Sequence, residues 1–228
     1  MAFIKAVLWN LRLGASVKTS VALAALIALS VLAAASAGVS AVGVNYLVES
    51  FSYALYAVYI AMGLIPGGRG LVLELNIFSS YRLVYFAKIA AFLLALVPPS
   101  AVVAVLGAAL GVVEPWGALV KIATSASIFA LSIAVSDVRA ALLLLIVLYA
   151  LAPSATLTLV TTALSKGPPT QADIPLLAWA TYISPISMAM YKGVVPLIEL
   201  YAFSLIASLC IVAISYYVFV RAEINPAD

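Results

Sequence analysis

The sequence predicts an all-α integral membrane protein with six transmembrane helices, an N-terminal interfacial helix and an outer re-entrant segment before the last helix. Three observations lead to this prediction. Of the 228 residues, 67% are hydrophobic and only 8% are charged, whereas soluble domains carry roughly 25% charged residues. Five charge-free stretches are each 19 to 30 residues long, and about 20 apolar residues cross the hydrocarbon core as a helix. The basic residues are also divided unequally between the two predicted sides of the membrane.

The positions of the charges define the predicted elements in chain order. An amphipathic interfacial helix is predicted over residues 2–15, where Lys5 and Arg12 supply the polar side of an otherwise apolar segment. The six spans are predicted over residues 19–40, 46–65, 85–112, 116–136, 140–164 and 200–220. The fourth span contains Lys121, whose long side chain is expected to reach the headgroups. A connection over residues 66–84 joins the second and third spans, and residues 1–228 form a single transmembrane domain.

The segment over residues 174–197 is apolar but carries Pro175, Pro185 and Pro196. Each proline lacks a backbone N–H and restricts the residue before it, so prolines about ten residues apart interrupt a continuous helix. We therefore expect short helices that dip into the outer leaflet, and not a seventh span.

The basic residues predict the orientation of the chain. With both termini in the cytoplasm, three lysines face outward, namely Lys121, Lys166 and Lys192. The other basic residues face the cytoplasm, namely Lys5, Arg12, Lys18, Arg69, Arg82, Lys88, Arg139 and Arg221. This bias follows the positive-inside rule. The chain is therefore predicted to be a multi-pass protein of the plasma membrane.

This layout and three sequence stretches resemble the permease subunit of type-2 ABC transporters, an exporter family. The stretches RGLVLEL (69–75), SSYR (79–82) and AKIA (87–90) are similar to the run that opens the third span in that family. The stretch YISPI (182–186) is similar to the motif before its last span, and YVFVRAE (217–223) to its closing motif. The chain is close in length to the haem-exporter-like subunit of cytochrome c maturation, and the subfamily stays open.

The resemblance implies that residues 66–84 couple the chain to an ATPase. Arg69, Glu74 and Arg82 are the charges of this connection, and the apolar residues among them would let it lie along the membrane while Glu74 faces a soluble partner. The implied partners are the lipid bilayer, an ATP-binding cassette ATPase on a separate chain, and a second permease in a homodimer or heterodimer. The alternative is a plain cytoplasmic loop that carries positive charge for topology.

Two sets of side chains are candidates for lining a transport path. Tyr53 and Tyr56 lie on a helical face with Glu49, where aromatic rings and a carboxylate could bind a flat or cationic apolar substrate. Ser154, Thr158 and Thr161 form a stripe in the fifth span. The alternatives are that the tyrosines serve the aromatic belt and helix packing, and that the hydroxyls bond to carbonyls one turn earlier.

Missing residue types narrow the possible chemistry. The sequence has no histidine, one cysteine (Cys210) and no phosphate-binding loop motif, so we expect no cofactor, no Cys/His metal site and no enzyme activity on this chain. The net charge of +3 does not indicate nucleic-acid binding, because the basic residues belong to helix ends.

Carboxylates deep in the predicted spans are also missing. Glu49, Glu114 and Glu199 fall near the predicted outer boundary, which disfavours an ion-coupled secondary transporter without removing it as an alternative. The leading hypothesis is the permease of an ATP-driven exporter for a hydrophobic or lipid-like substrate. A membrane anchor or assembly subunit of a larger complex is the other alternative.

Overall fold

The structure is a computed structural model that describes residues 2–14, 17–39, 43–44, 48–49, 54–65, 68–109, 115–135 and 137–221. Within these residues the chain is helical, apart from turns and an isolated bridge between Lys192 and Val195. The prediction of an all-α protein is therefore confirmed for the described residues.

The helices differ widely in length, from four residues to 29. In chain order they are α1 (Ala2–Gly14), α2 (Val17–Ser36), α3 (Ala54–Leu64), α4 (Gly68–Phe78), α5 (Tyr81–Ala109), α6 (Pro115–Ala134), α7 (Val138–Ile146), α8 (Ala152–Leu164), α9 (Ile174–Ile183), α10 (Pro185–Met188) and α11 (Leu197–Arg221). A π-helical turn, Val147–Leu151, joins α7 to α8, and short 3₁₀ turns precede α9 and follow α10.

Four of the described helical segments are long and apolar enough to cross a membrane. They are Tyr81–Val105, Pro115–Ala134, Val138–Leu164 and Leu197–Arg221. These segments fall on the third to sixth predicted spans and identify a helical, membrane-type protein. The predicted spans over residues 19–40 and 46–65 lie partly outside the described residues, so a total of six spans stays a prediction.

The central helix of the bundle is α6, which packs between α5 and α11. It buries small hydroxyl side chains at Thr124, Ser125, Ser127 and Ser132, which allow neighbouring helices to approach closely. Larger rings fill the space beside it, and Phe129 of α6 stacks on Phe92 of α5 with the ring centroids 4.3 Å apart.

The π-helical turn has a local cause in the sequence. Pro153 cannot donate a backbone hydrogen bond, and in a regular helix its ring would clash with the carbonyl four residues earlier. That carbonyl belongs to Tyr149, which lies within the π turn. The turn places Tyr149 in the interior, where its hydroxyl donates to the carbonyl oxygen of Ser125 on α6.

The prolines of residues 174–197 divide that segment into short helices. The ten residues of α9 extend over about 15 Å, which is half of a hydrocarbon core about 30 Å thick. The helix stops at Ser184 because Pro185 follows, and α10 continues for four residues. The dip of this segment into the outer leaflet stays a prediction.

Candidate functional site

The described residues contain two clusters of buried charges, and the first surrounds Lys88 on α5. Its ammonium nitrogen lies 2.8 Å from Oε1 and 2.8 Å from Oε2 of Glu74 on α4. It also donates to Oδ1 of Asn10 on α1 at 3.1 Å and to the carbonyl oxygen of Leu64 at 3.0 Å. A lysine ammonium has three hydrogens to donate, and these partners use all of them. We call this group (Asn10, Leu64, Glu74 and Lys88) the Lys88 cluster.

The Lys88 cluster joins four helices at one point. Leu64 is the last residue of α3, where helix carbonyls lack intrahelical partners and favour a nearby cation. The side-chain amide of Asn10 donates to the carbonyl oxygen of Ala6 at 2.9 Å, which directs its own oxygen toward Lys88. Removing one member of a buried ion pair costs about 3–5 kcal/mol because the other charge stays buried without a partner, so loss of Lys88 or Glu74 alone should disturb the contact among α1, α3, α4 and α5.

The predicted coupling residues have different surroundings. The side chain of Glu74 is 7% exposed, so the expectation that it faces a soluble partner is wrong: its carboxylate turns inward to Lys88. Arg82 is exposed in the first turn of α5. Arg69 lies in α4, and its side chain is outside the described residues. The exposed side of α4 instead presents Leu73 and Ile77, at 55% and 48% exposure.

The second buried cluster surrounds Lys121 on α6. Its ammonium nitrogen lies 3.2 Å from Oε1 of Glu49 and donates to the carbonyl oxygen of Ile183 at 2.7 Å. The Glu49 carboxylate also accepts hydrogen bonds from the backbone N–H of Ser187 at 2.8 Å, from the backbone N–H of Ile186 at 3.4 Å and from the Ser187 hydroxyl. We call this group (Glu49, Lys121, Ile183, Ile186 and Ser187) the Lys121 cluster.

The Lys121 cluster occupies the break between α9 and α10. Ile183 ends α9, while Ile186 and Ser187 lie in the first turn of α10. A cation therefore meets the carbonyl end of one helix, and a carboxylate meets the N–H end of the next. Each charge has the sign that the corresponding helix end favours.

The positions of Glu49 and Lys121 correct two expectations from the sequence. Lys121 does not extend to the headgroups, because its side chain is 1% exposed and turns toward Glu49. The Glu49 side chain was expected near the outer boundary of the membrane, within reach of water, but it is fully buried inside the protein. A lone lysine inside an apolar helix was the available clue, but its partner lies 72 positions earlier in the chain and could not be identified without the fold.

The side of α10 next to α6 is closely packed. The Tyr201 hydroxyl on α11 donates to the carbonyl oxygen of Pro185 at 3.3 Å. At Gly117 on α6, a β-carbon would come within 2.9 Å of that same carbonyl oxygen and 3.2 Å of the Ile186 α-carbon. Glycine at position 117 therefore permits the contact between the two helices.

The candidate stripe on α8 makes local hydrogen bonds. The hydroxyls of Ser154, Thr158 and Thr161 donate to the carbonyl oxygens of Leu151, Ser154 and Leu157, as the alternative interpretation expected. Thr161 also lies 3.0 Å from the Tyr191 hydroxyl. Thr158 and Thr161 are exposed on the single chain, and their role in lining a path stays a prediction.

The role of the two candidate tyrosines, Tyr53 and Tyr56, in lining a path stays a prediction. Tyr53 lies outside the described residues. Tyr56 lies in α3, but its side chain is not among those described.

A pocket of about 810 Å³ opens between the start of α6, the start of α11 and the loop that precedes α11. Trp116 and Val120 line its apolar wall, and Lys192 and Glu199 add opposite charges. Its volume falls within the roughly 300–1,000 Å³ of pockets that bind small molecules. Val120 is adjacent to Lys121 in sequence, so the pocket and the Lys121 cluster share one end of α6.

Among the described residues, no group of three or more His, Cys, Asp or Glu side chains could hold a metal ion. The cysteine, Cys210, is exposed on α11. A comparison of the chain with protein-family models, curated proteins and solved structures finds no match.

Proposed function

We propose that the chain is the membrane-spanning permease subunit of an ATP-driven exporter of the type-2 ABC family, with ATP hydrolysed by a separate subunit. The observation that carries this proposal is the Lys88 cluster. It joins a short helix, α4, to the long apolar helix α5, to the end of α3 and to the N-terminal helix α1. A partner that moves α4 would therefore move three other helices with it.

In this proposal, α4 is the surface that receives the ATPase. Leu73 and Ile77 lie one turn apart on its exposed side, as expected of a helix that inserts apolar side chains into a groove of a partner. Arg82 would add an exposed positive charge at the start of the next helix, α5. Glu74 would transmit the movement to Lys88 and would not contact the ATPase itself.

The proposed topology has six spans with both termini and α4 on the cytoplasmic side of the plasma membrane. The α9–α10 break and the pocket beside it would then lie toward the outer side. Two permeases, either identical or related, would enclose the path between them. The apolar wall of the pocket supports a hydrophobic or lipid-like substrate.

Co-purification tests the proposal directly. The full chain, extracted from its native membrane, is expected to bring down a chain with a nucleotide-binding P-loop. Ile77→Glu should weaken that association at least tenfold, because it places a charge in the apolar contact. Ile198→Glu is the matched control, since Ile198 is 85% exposed at the start of α11 and lies on the opposite predicted side. Absence of an ATPase partner, or equal loss in both variants, would contradict the proposal.

A secondary transporter is the second candidate, and the Lys121 cluster favours it. Ion-coupled transporters bind substrates and coupling ions at the ends of interrupted helices, and the ends of α9 and α10 at this break contact Lys121 and Glu49. Substrate movement that continues without ATP and collapses with an ionophore would select this candidate over the exporter.

A further inference from the structure

Side chains from other parts of the chain contact the break between α9 and α10. Lys121 reaches the last carbonyl of α9 from α6, and Glu49 reaches the first N–H groups of α10 from the segment before α3. The two charges also contact each other at 3.2 Å. Three separate parts of the chain therefore meet at one pair of helix ends.

The arrangement depends on the sign of each charge and not only on their attraction. A carboxylate at position 121 would face the carbonyl oxygen of Ile183, and an ammonium at position 49 would face the N–H groups of Ile186 and Ser187. Both contacts would be repulsive, because helix C-termini favour cations and helix N-termini favour anions. Exchanging the two residues would keep an ion pair but lose the contacts with both helix ends.

We propose that Glu49 and Lys121 form a latch that keeps the α9–α10 break closed against α6. Opening of the transport path on this side separates Glu49 from Lys121 and admits water to Ser184. The identification of this opening with the export step rests on the function proposed above.

Two features of the break fit an element that opens. α10 has only four residues, so few helical hydrogen bonds hold it in place once the charges separate. The Ser184 hydroxyl is buried at the break, and among the described residues it has no hydrogen-bond partner. A buried hydroxyl without a partner is unfavourable, so water that enters the break would satisfy Ser184.

Cysteine accessibility tests the latch in the full chain. The reporter is Ser184→Cys in a Cys210→Ser background, reconstituted in lipid vesicles and treated with a membrane-impermeant maleimide. The reporter should react slowly when the latch is intact. Lys121→Met and Glu49→Gln should each raise the rate roughly 100-fold or more, as expected when one member of a buried ion pair is lost. The exchanged pair, Glu49→Lys with Lys121→Glu, should not restore protection.

A second perturbation leaves both charges in place. Gly117→Ala inserts a β-carbon against the backbone of α10, 2.9 Å from the carbonyl oxygen of Pro185, and should raise the reporter rate at least tenfold. Leu119→Ala is its matched control on the same helix, because Leu119 is 54% exposed and should leave the rate unchanged. This pair tests the latch even where a charge variant fails to insert.

The outcomes separate the latch from the exporter proposal. A reporter that stays protected in Lys121→Met, Glu49→Gln and Gly117→Ala overturns the latch. Restored protection in the exchanged pair also overturns it, because an ordinary ion pair would then be sufficient. A rate that responds to these variants and also rises when ATP is added with the co-purified ATPase supports both proposals. A rate that responds to the variants but not to ATP supports the latch and contradicts ATP-driven opening.

Discussion

Lys88→Met should be far more destabilising than the loss of an exposed charge on the same helix. The substitution preserves most of the side-chain volume but leaves the Glu74 carboxylate buried without its cation, which costs about 3–5 kcal/mol. It also removes the donor for Asn10 and for the Leu64 carbonyl, and each buried acceptor left unpaired adds about 1–3 kcal/mol. Typical domains are stable by about 5–15 kcal/mol, so this variant should lie near the limit of folding.

A double variant separates the cost of the buried charge from the cost of the unpaired acceptors. Replacing both members of the pair, as in Glu74→Leu with Lys88→Met, removes the uncompensated charge and leaves only the unpaired acceptors. Buried ion pairs can often be replaced by apolar residues of similar volume without loss of stability. We therefore expect the double variant to be more stable than Lys88→Met alone, by about 3–5 kcal/mol.

Equilibrium unfolding of the full chain in detergent micelles measures these differences. Trp9, adjacent to Asn10 on α1, supplies a fluorescence reporter close to the cluster. Arg82→Met is the matched control, because it removes an exposed charge from the same helix and should change stability by less than about 0.5 kcal/mol. Equal losses in Lys88→Met and Arg82→Met would contradict the cost assigned to the buried charge. A double variant less stable than Lys88→Met alone would contradict it as well, because removal of the unpaired carboxylate should restore stability.

Three further predictions concern other parts of the chain. Tyr149→Phe should lower the free energy of unfolding by about 1–3 kcal/mol, because the carbonyl of Ser125 loses a buried donor; an unchanged unfolding curve would contradict this. Hydrogen bonds from the backbone N–H and hydroxyl of Thr170 hold the pKa of Asp173 below its ordinary value. These bonds should therefore stabilise the turn that contains Thr170 and Asp173 at pH values above the ordinary pKa of aspartate, and the turn should loosen as the pH falls through the lowered pKa. Hydrogen exchange of the Thr170 amide measures the loosening. Protection of this amide that increases as the pH falls would contradict the prediction. Thr158→Val should leave stability within about 0.5 kcal/mol of the parent chain, and a fall in transport at unchanged stability would support a path along α8.

The sequence was sufficient to predict the long apolar helices and the interruption at the prolines. Charges are scarce enough that the gaps between them locate the segments ending near Leu164 and Arg221. Pro185 likewise stops α9 through local geometry, which needs no tertiary contact. These features depend on properties of neighbouring residues, so a single sequence carries them.

The two buried clusters depend on tertiary structure and could not be predicted in the same way. Glu74 was expected on the exposed side of its segment, but Lys88, 14 positions later on the next helix, draws it inward. Glu49 and Lys121 are paired only because α6 packs beside the break that ends α9. Helical periodicity places a residue on a face, but only the packing of helices determines which other charge meets that face.

The exporter proposal depends above all on one feature of the topology: α4 and the end of α8 must lie on opposite sides of the membrane. In a Cys210→Ser background, Asn76→Cys on α4 and Lys166→Cys after α8 place reporters at two exposed positions. A membrane-impermeant thiol reagent is applied to sealed, oriented vesicles from one side at a time. The proposed topology predicts that the two positions react from opposite sides, with position 76 on the side that binds the ATPase. Reaction of both positions from the same side would contradict this topology and, with it, the exporter function.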